Sequence, residues 1–407
     1  MTFKALGLIE PLIKAVADLG YTEPSPIQQK AIVPILQGRD VLASAQTGTG
    51  KTASFVLPIL QRLNELSPAR ANGVKALIIT PTRELAAQVH ACIAEYGVHL
   101  KQRTLAVFGG VKINPQMMKL RGGVEILVAT PGRLMDLFQQ RALKFDELTT
   151  LVLDEADRML DMGFIHDIQR IVALLPKNRQ TLLFSATFSD PIRRLAKNIM
   201  QQPLEIDVAP RNATAVLVNE VIYPVDKARK FELLTQLIQH HAWAQTLIFV
   251  RTKHGANKLV KQLNAAQFYA VAIHGDRSQS QRTKALAAFK SGEIHILVAT
   301  DIAARGIDID LLPCVVNFDL STVAEDYVHR IGRTARAGQV GMAISLVSAD
   351  EVLQLQAIEK LLKRAIKRVV VDGFEPVHAL PNHSDARSKP VSKPHRDVKS
   401  RQRTTRR

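Results

Sequence analysis

The stretch "DVLASAQTGTGKTASFVL" sets a lysine and a threonine directly behind a loop of small residues. In Gln46, Thr47, Gly48, Thr49 and Gly50 the glycines let backbone N–H groups curl around phosphate oxygens. Lys51 then reaches the outer phosphates of a nucleotide, and Thr52 offers a hydroxyl to Mg2+. Ala45 replaces the first glycine of the usual pattern, and Pro58 falls early in the following helix, where it can kink it. A second stretch, "LVLDEADRML", ends a short apolar run at Asp154 and Glu155. The carboxyl end of a buried strand is where an α/β sheet places its ligands. There Asp154 can hold Mg2+ through water, and Glu155 can orient or deprotonate an attacking water. The competing reading, two carboxylates capping a helix, loses weight with a phosphate loop about 100 residues upstream. A third stretch, "HRIGRTARAG" (329–338), packs His329, Arg330, Arg333 and Arg336 into eight positions. Set on a helix at about 100° per residue, His329, Arg333 and Arg336 fall within about 60° of one another. Arg330 sits a further 60° or so away, at the edge of that face. Such donors suit phosphate charge; arginine fingers are worth about 10³ to 10⁵ in rate. An exposed basic patch for RNA, or salt bridges within one domain, is the alternative.

Those residues need elements to hold them, and an internal repeat indicates which. "VEILVAT" (124–130) and "IHILVAT" (294–300) share the stretch ILVAT at an offset of 170 residues. The same offset carries "LIITPT" (77–82) onto "LIFVRT" (247–252). These are short apolar, β-branched runs ending in polar residues, as buried parallel strands read. Helical patterns such as "ELAAQVHACIAEYG" and "HGANKLVKQLNAAQ" lie between them. Alternation of this kind implies an α/β fold of two similar tandem domains with helix-covered parallel sheets. The second copy has no GKT, and its counterpart of the acidic strand reads "VVNFDL", with Asp319 alone. The first domain therefore binds nucleotide, and "HRIGRTARAG" is aimed across a cleft. The expected division is a first domain over 1–208, a linker at 209–215 and a second domain over 216–372. A basic tail over 373–407, with few large apolar residues, is expected to be disordered.

The bulk numbers fit. A chain of 407 residues accommodates two domains. Lys+Arg of 54 against Asp+Glu of 37 gives +17, of which residues 385–407 carry +7 (nine Lys/Arg, two Asp). The folded part is thus basic as well, which favours a polyanion: RNA, DNA or an anionic surface. No run of about 18 apolar residues suggests a membrane span, and the N-terminal stretch lacks signal-peptide character. Two distant cysteines, Cys92 and Cys314, read as buried thiols of a reducing cytoplasm, and no His/Cys cluster holds a metal by itself.

Over residues 1 to about 370 the chain resembles the DEAD-box family of ATP-dependent RNA helicases. The resemblance rests on motifs in family order: "GYTEPSPIQ" (20–28), "AQTGTGKT", "PTRELA" (81–86), "GG" (109–110), "TPGR" (130–133), "DEAD" (154–157) and "SAT" (185–187). The second half adds "LIFVRT", "QSQR" (279–282), "ATDIAARGID" (299–308) and "HRIGRTARAG". The stretch "INPQMMKLRGGVEILVATPGRL" and the basic tail look most like the bacterial RhlE-type subgroup. Ala335 stands where many members have glycine; its small methyl should leave activity intact.

The resemblance implies two RecA-like domains and ATP with Mg2+ as cofactors. Gln28 would read the adenine, with Phe3 and Tyr21 packed nearby. Lys51, Thr52 and Asp154 would hold phosphate and metal, and Glu155 would be the catalytic carboxylate. Asp157, Ser185 and Thr187 would couple the nucleotide to the RNA site, Arg333 and Arg336 would be the fingers, His329 would lie at the interface and Asp308 would meet the ribose. RNA contacts would come from Arg83, Gly109, Gly110, Thr130, Arg133, Arg251, Arg282, Thr300 and Asp301. RNA, single-stranded or in short duplexes, would be gripped by its backbone independently of sequence, as motifs of Gly, Thr and Arg suit. The resemblance also brings ribosomal or RNA-decay proteins into view as partners. The implied activity is RNA-dependent ATP hydrolysis that separates short duplexes or remodels RNA–protein complexes. An ATP-gated RNA clamp, with hydrolysis only timing release, would use the same motifs. The tail would tether RNA nonspecifically.

Overall fold

The computed structural model describes residues 2–45, 49–208, 218–241, 243–304, 309, 312–334, 341–378 and 380. Gln46, Thr47, Gly48, Asp308, Ala335, Arg336, the expected linker and the tail beyond residue 380 lie outside them.

Seven strands form the first sheet: β1 (Val41–Ser44), β2 (Val74–Ile79), β3 (Thr104–Val107), β4 (Val124–Ala129), β5 (Thr150–Leu153), β6 (Gln180–Ser185) and β7 (Leu204–Asp207). Seven form the second: β8 (Val218–Pro224), β9 (Thr246–Phe249), β10 (Ala270–Ile273), β11 (Ile296–Ala299), β12 (Cys314–Asn317), β13 (Gly341–Val347) and β14 (Lys367–Arg368). The orders are β3-β4-β2-β5-β6-β1-β7 and β10-β11-β9-β12-β13-β8-β14, so adding seven to each label of the first gives the second. The pairings β1–β6, β2–β4, β2–β5 and their counterparts in the second sheet are parallel. The 170-residue offset links β2 with β9 and β4 with β11, which hold equivalent places.

Helices cover both faces of each sheet, which explains the unbroken apolar strands. Along β2, Ala76 and Ile78 join one buried cluster while Leu77 and Ile79 join another on the opposite face. The alternation follows from the two-residue period of a strand. The architecture is the expected tandem pair of RecA-like domains. No helix among the described residues is long and apolar enough to cross a membrane.

The carboxyl ends of the strands carry the chemistry. β1 leads to the loop before the helix Lys51–Asn64, which runs on through Pro58. β2 leads to the helix Arg83–Tyr96, capped by Thr82 Oγ1, which accepts from Leu85 N at 3.3 Å. β5 ends beside Asp154 and Glu155, and β6 runs into "SAT".

The end of the second domain lies later than expected. Residues 373–378, assigned to the tail, stay on the fold because Phe374 gives them something to bury. Its ring is 9% exposed in the second domain's core, under the Arg229 guanidinium at 4.3 Å. Val377 N then donates to the Asp226 carboxylate at 3.1 Å.

Candidate functional site

Lys51 opens its helix with its side chain buried, and its Nζ has no hydrogen-bond partner among the described residues. A buried unpaired ammonium is expensive, so the position suits an anion. Asp154 is 3% exposed and accepts from Glu155 N at 3.0 Å. Burial pushes its carboxyl up to about 7, against the pull of Lys51 and with the push of Glu155. A carboxylate so placed suits a divalent cation, whose charge removes the cost of ionising it. The residues present therefore fit both a nucleotide phosphate and Mg2+.

Gln28 does two things in this arrangement. Its Oε1 accepts from Ser25 N at 2.8 Å, closing a capping box on the helix Pro26–Leu36. Its Nε2 donates to Gly50 O at 3.2 Å. Gly50 has φ +88°, and a Cβ there would stand 2.4 Å from that Nε2, so only glycine allows this approach. Gln28, expected at adenine, thus braces the end of the phosphate loop. Of its expected neighbours, Phe3 is buried in the core and Tyr21 is 54% exposed. Thr49 and Thr52 are half-buried at the start of the helix.

The acidic stretch is wired to "SAT". Asp157 Oδ2 accepts from Ala186 N at 2.9 Å. Ser185 Oγ accepts from Thr187 N at 3.3 Å, and Ser44 Oγ donates to Ala186 O at 3.3 Å. Glu155 sits at φ 53°, ψ 51°, a left-handed conformation costly for a residue with a side chain, at the N-cap of the helix Ala156–Asp161.

Across the cleft, the helix expected over "HRIGRTARAG" ends early: it spans Ala324–Ile331 and stops at Gly332. His329 and Arg333 therefore do not share a helical face, and Arg336 lies outside the described residues. Arg333 instead lies in a turn, its N donating to Arg330 O at 3.1 Å. His329 and Arg333 nevertheless line one cavity with Arg158 of the first domain. Burial first, then Arg158, pulls the His329 imidazole below its usual range, which favours the neutral ring. Arg330 is spent inside its own domain. It grips both Asp301 carboxylate oxygens at 2.6 and 2.7 Å, donates to Asn317 Oδ1 at 3.0 Å and Asp319 O at 2.7 Å, and stacks over Phe249. The carboxylate of Asp301, a residue expected at RNA, is taken by that fork.

The expected RNA residues split. Arg83 Nη1 reaches Gln279 Oε1 at 3.5 Å, Gln279 Nε2 donates to Glu84 Oε1 at 2.9 Å, and Arg282 Nη2 pairs with Glu84 Oε2 at 3.0 Å. These contacts join the two domains. Gly110, at φ +77°, lies against Arg83, where a Cβ would fall 1.7 Å from Nη1; Gly109 is also beside it. Arg133 Nη2 donates to Val111 O at 3.0 Å, holding that loop, and Thr130 precedes the helix Pro131–Gln139. In the second domain Arg251 Nη2 donates to the buried Glu351 at 3.0 Å, and Thr300 is 7% exposed. Glu84, Gln279 and Arg158 were not foreseen. An acidic residue in a first helical turn reads as a dipole partner, and nothing local reveals a partner some 200 residues away.

Residues 25–195 match the family described as DEAD/DEAH box helicase, and 229–338 match the helicase conserved C-terminal domain. The DEAD-box ATP-dependent RNA helicase CshA of Geobacillus kaustophilus is 43% identical over 368 residues, 90% of this chain and 78% of that one. The chain belongs to the DEAD-box ATP-dependent RNA helicase family. Among solved DEAD-box structures, S. cerevisiae Dbp5 bound to RNA and ADP BeF3 aligns with a TM-score of 0.81, at 33% identity over 91% of this chain and 96% of that one. A Dbp5 variant bound to Nup159, a Gle1 variant, IP6 and ADP aligns at 0.62, with 32% identity over 90% and 96%.

Proposed function

We propose that this helicase couples ATP hydrolysis to separation of short RNA duplexes through closure of its two domains. The observation that carries the reading is the buried, unpartnered Lys51 ammonium beside Asp154, together with a cavity that His329 and Arg333 of the other domain line with Arg158. Lys51 and the loop before it hold the ATP phosphates, and Gln28 and Tyr21 stand on the adenine side. Glu155 orients the attacking water and takes its proton, and Arg333 offsets charge on the γ-phosphate. Thr52 and Asp154 would hold Mg2+, which would supply positive charge to the phosphate oxygens. RNA is gripped by its backbone along Arg83, the Gly109–Gly110 turn, Thr130 and Thr300, so recognition is independent of base sequence. Two thiols without a disulfide among the described residues, one of them buried, support a cytoplasmic setting. The RhlE-type placement rests on residues 113–134 and the tail.

The test is ATP hydrolysis with and without RNA, beside unwinding of a short duplex. RNA should raise the rate, and Glu155→Gln should abolish turnover while ATP and RNA stay bound. Hydrolysis indifferent to RNA removes the coupling. Long-lived RNA retention without strand separation favours the clamp.

A further inference from the structure

We propose that Arg158 is a positioning residue for hydrolysis: it fixes the direction of the Glu155 carboxylate and makes that direction depend on domain closure. The proposal rests on the reading of Glu155 as the carboxylate that orients the attacking water. Arg158 is 4% exposed, and a guanidinium that deep needs a compensating charge. Its Nη1 lies 3.2 Å from Glu155 Oε2, close enough for an ion pair but without hydrogen-bond geometry. Neither atom has a hydrogen-bond partner among the described residues. The pair is thus held by proximity, and the carboxylate oxygen keeps a direction open for a further donor such as water.

Two features make this restraint matter. Glu155 adopts its left-handed conformation at the head of a six-residue helix, and its Oε2 has no hydrogen bond among the described residues to aim it. Arg158, three residues along that helix, is anchored instead: its N donates to Asp157 Oδ1 at 3.0 Å, while Asp157 Oδ2 holds Ala186 N. The anchor therefore runs from "SAT" through Asp157 and Arg158 to Glu155.

The guanidinium also lines the interdomain cavity with His329 and Arg333. With the second domain in place, the Arg158–Glu155 pair lies in a low-dielectric setting, where charge interactions are strong. When that domain withdraws, water reaches the guanidinium, and an ion pair in water is worth little. Glu155 is then firmly aimed only in the closed arrangement, which suppresses hydrolysis before RNA and ATP have assembled it.

The experiment compares wild type, Arg158→Met, Arg158→Lys, Glu155→Gln and the double variant Glu155→Gln/Arg158→Met in RNA-stimulated ATP hydrolysis. Arg158→Met should lower kcat by about ten- to a hundredfold, the scale of a misplaced reacting group, while leaving the KM for ATP and the half-saturating RNA within about twofold. Arg158→Lys, which restores charge but not the planar fork, should recover part of the loss. On the Glu155→Gln background, which binds without turning over, Arg158→Met should leave the retained ATP and RNA affinities unchanged, because its effect passes through that carboxylate. A loss of that retained binding, or a raised KM with kcat preserved, overturns the proposal. Should Arg158→Met fail to fold, Arg158→Lys decides: a kcat deficit at unchanged KM supports the proposal, and wild-type kcat overturns it. A wild type without RNA-stimulated hydrolysis removes the functional reading itself. An active wild type with an inert Glu155→Gln and an unaffected Arg158→Met removes only the role of Arg158.

Discussion

At the residue scale, Asp154 is the carboxyl of the candidate site on which burial acts most directly. Burial raises its carboxyl from 3.8 to about 7, more than Lys51 can offset. Below about pH 4 the carboxyl is protonated in both the folded and unfolded chains. Between 4 and 7 the unfolded chain loses the proton while the folded one keeps it, so folded stability falls as pH rises and levels off above 7. A shift of that size corresponds to at most about 4 kcal/mol. A divalent cation replaces the proton, so its binding should tighten as pH approaches 7. In chelator, the thermal unfolding midpoint should therefore drop between pH 5 and 8, and Asp154→Asn should flatten the drop. A drop of equal size in Asp154→Asn would assign it to other groups. The type and place of this residue were legible in sequence, because a carboxylate ending a buried strand has few other uses. Its proton affinity was not, since that depends on how completely the packed sheet excludes water.

At the element scale, strands and their polar ends were readable because burial on two faces leaves unbroken apolar runs. "HRIGRTARAG" was misread for an equally physical reason. Its spacing fits a helix, but Gly332 at the C-cap and the backbone of Arg333, whose carbonyl accepts from Leu312 N at 3.1 Å, turn the chain away. Arg330, which its spacing sets at the edge of that face, is instead met by Asn317 and Asp301, converging on it from β12 and the end of β11. The Gly109–Gly110 turn yields a prediction at this scale. Gly110 has φ +77° and lies beneath the Arg83 guanidinium. Gly110→Ala adds about 1–2 kcal/mol of backbone strain and pushes Arg83 off its seat. The expected outcome is a half-saturating RNA concentration raised by about tenfold, on the order of 1.4 kcal/mol, with ATP affinity in the absence of RNA unchanged. Titrating the ATPase with RNA measures this, and a weakened ATP affinity with normal RNA dependence would contradict it.

At the scale of the whole molecule, duplication followed by divergence explains the division of labour. Both sheets have one strand order, so each strand end of the first domain has a counterpart in the second. The phosphate loop and acidic pair survive only in the first copy, and "HRIGRTARAG" only in the second. Neither half can complete the site, so the affinity for ATP and the affinity for RNA both draw on the same closure. Linkage then requires each ligand to tighten the other by one common factor, in the usual range of about 5–150-fold. Glu84 allows that factor to be tested apart from ligand contact, because its carboxylate meets Gln279 and Arg282 of the other domain. Both side chains of the Glu84–Arg282 pair are largely shielded, at 6% and 11% exposed, so losing one partner weakens the closed arrangement specifically. When the domains are apart the contact is broken in any case, and the free protein loses little. Glu84→Gln should therefore leave the unfolding midpoint and the RNA-free affinity for a non-hydrolysable ATP analogue close to wild type. It should cut the tightening of that analogue by RNA, and of RNA by the analogue, by the same factor of about five or more. Unequal losses would show that Glu84 touches one ligand's site, and an undiminished factor would place the closing energy elsewhere in the cleft.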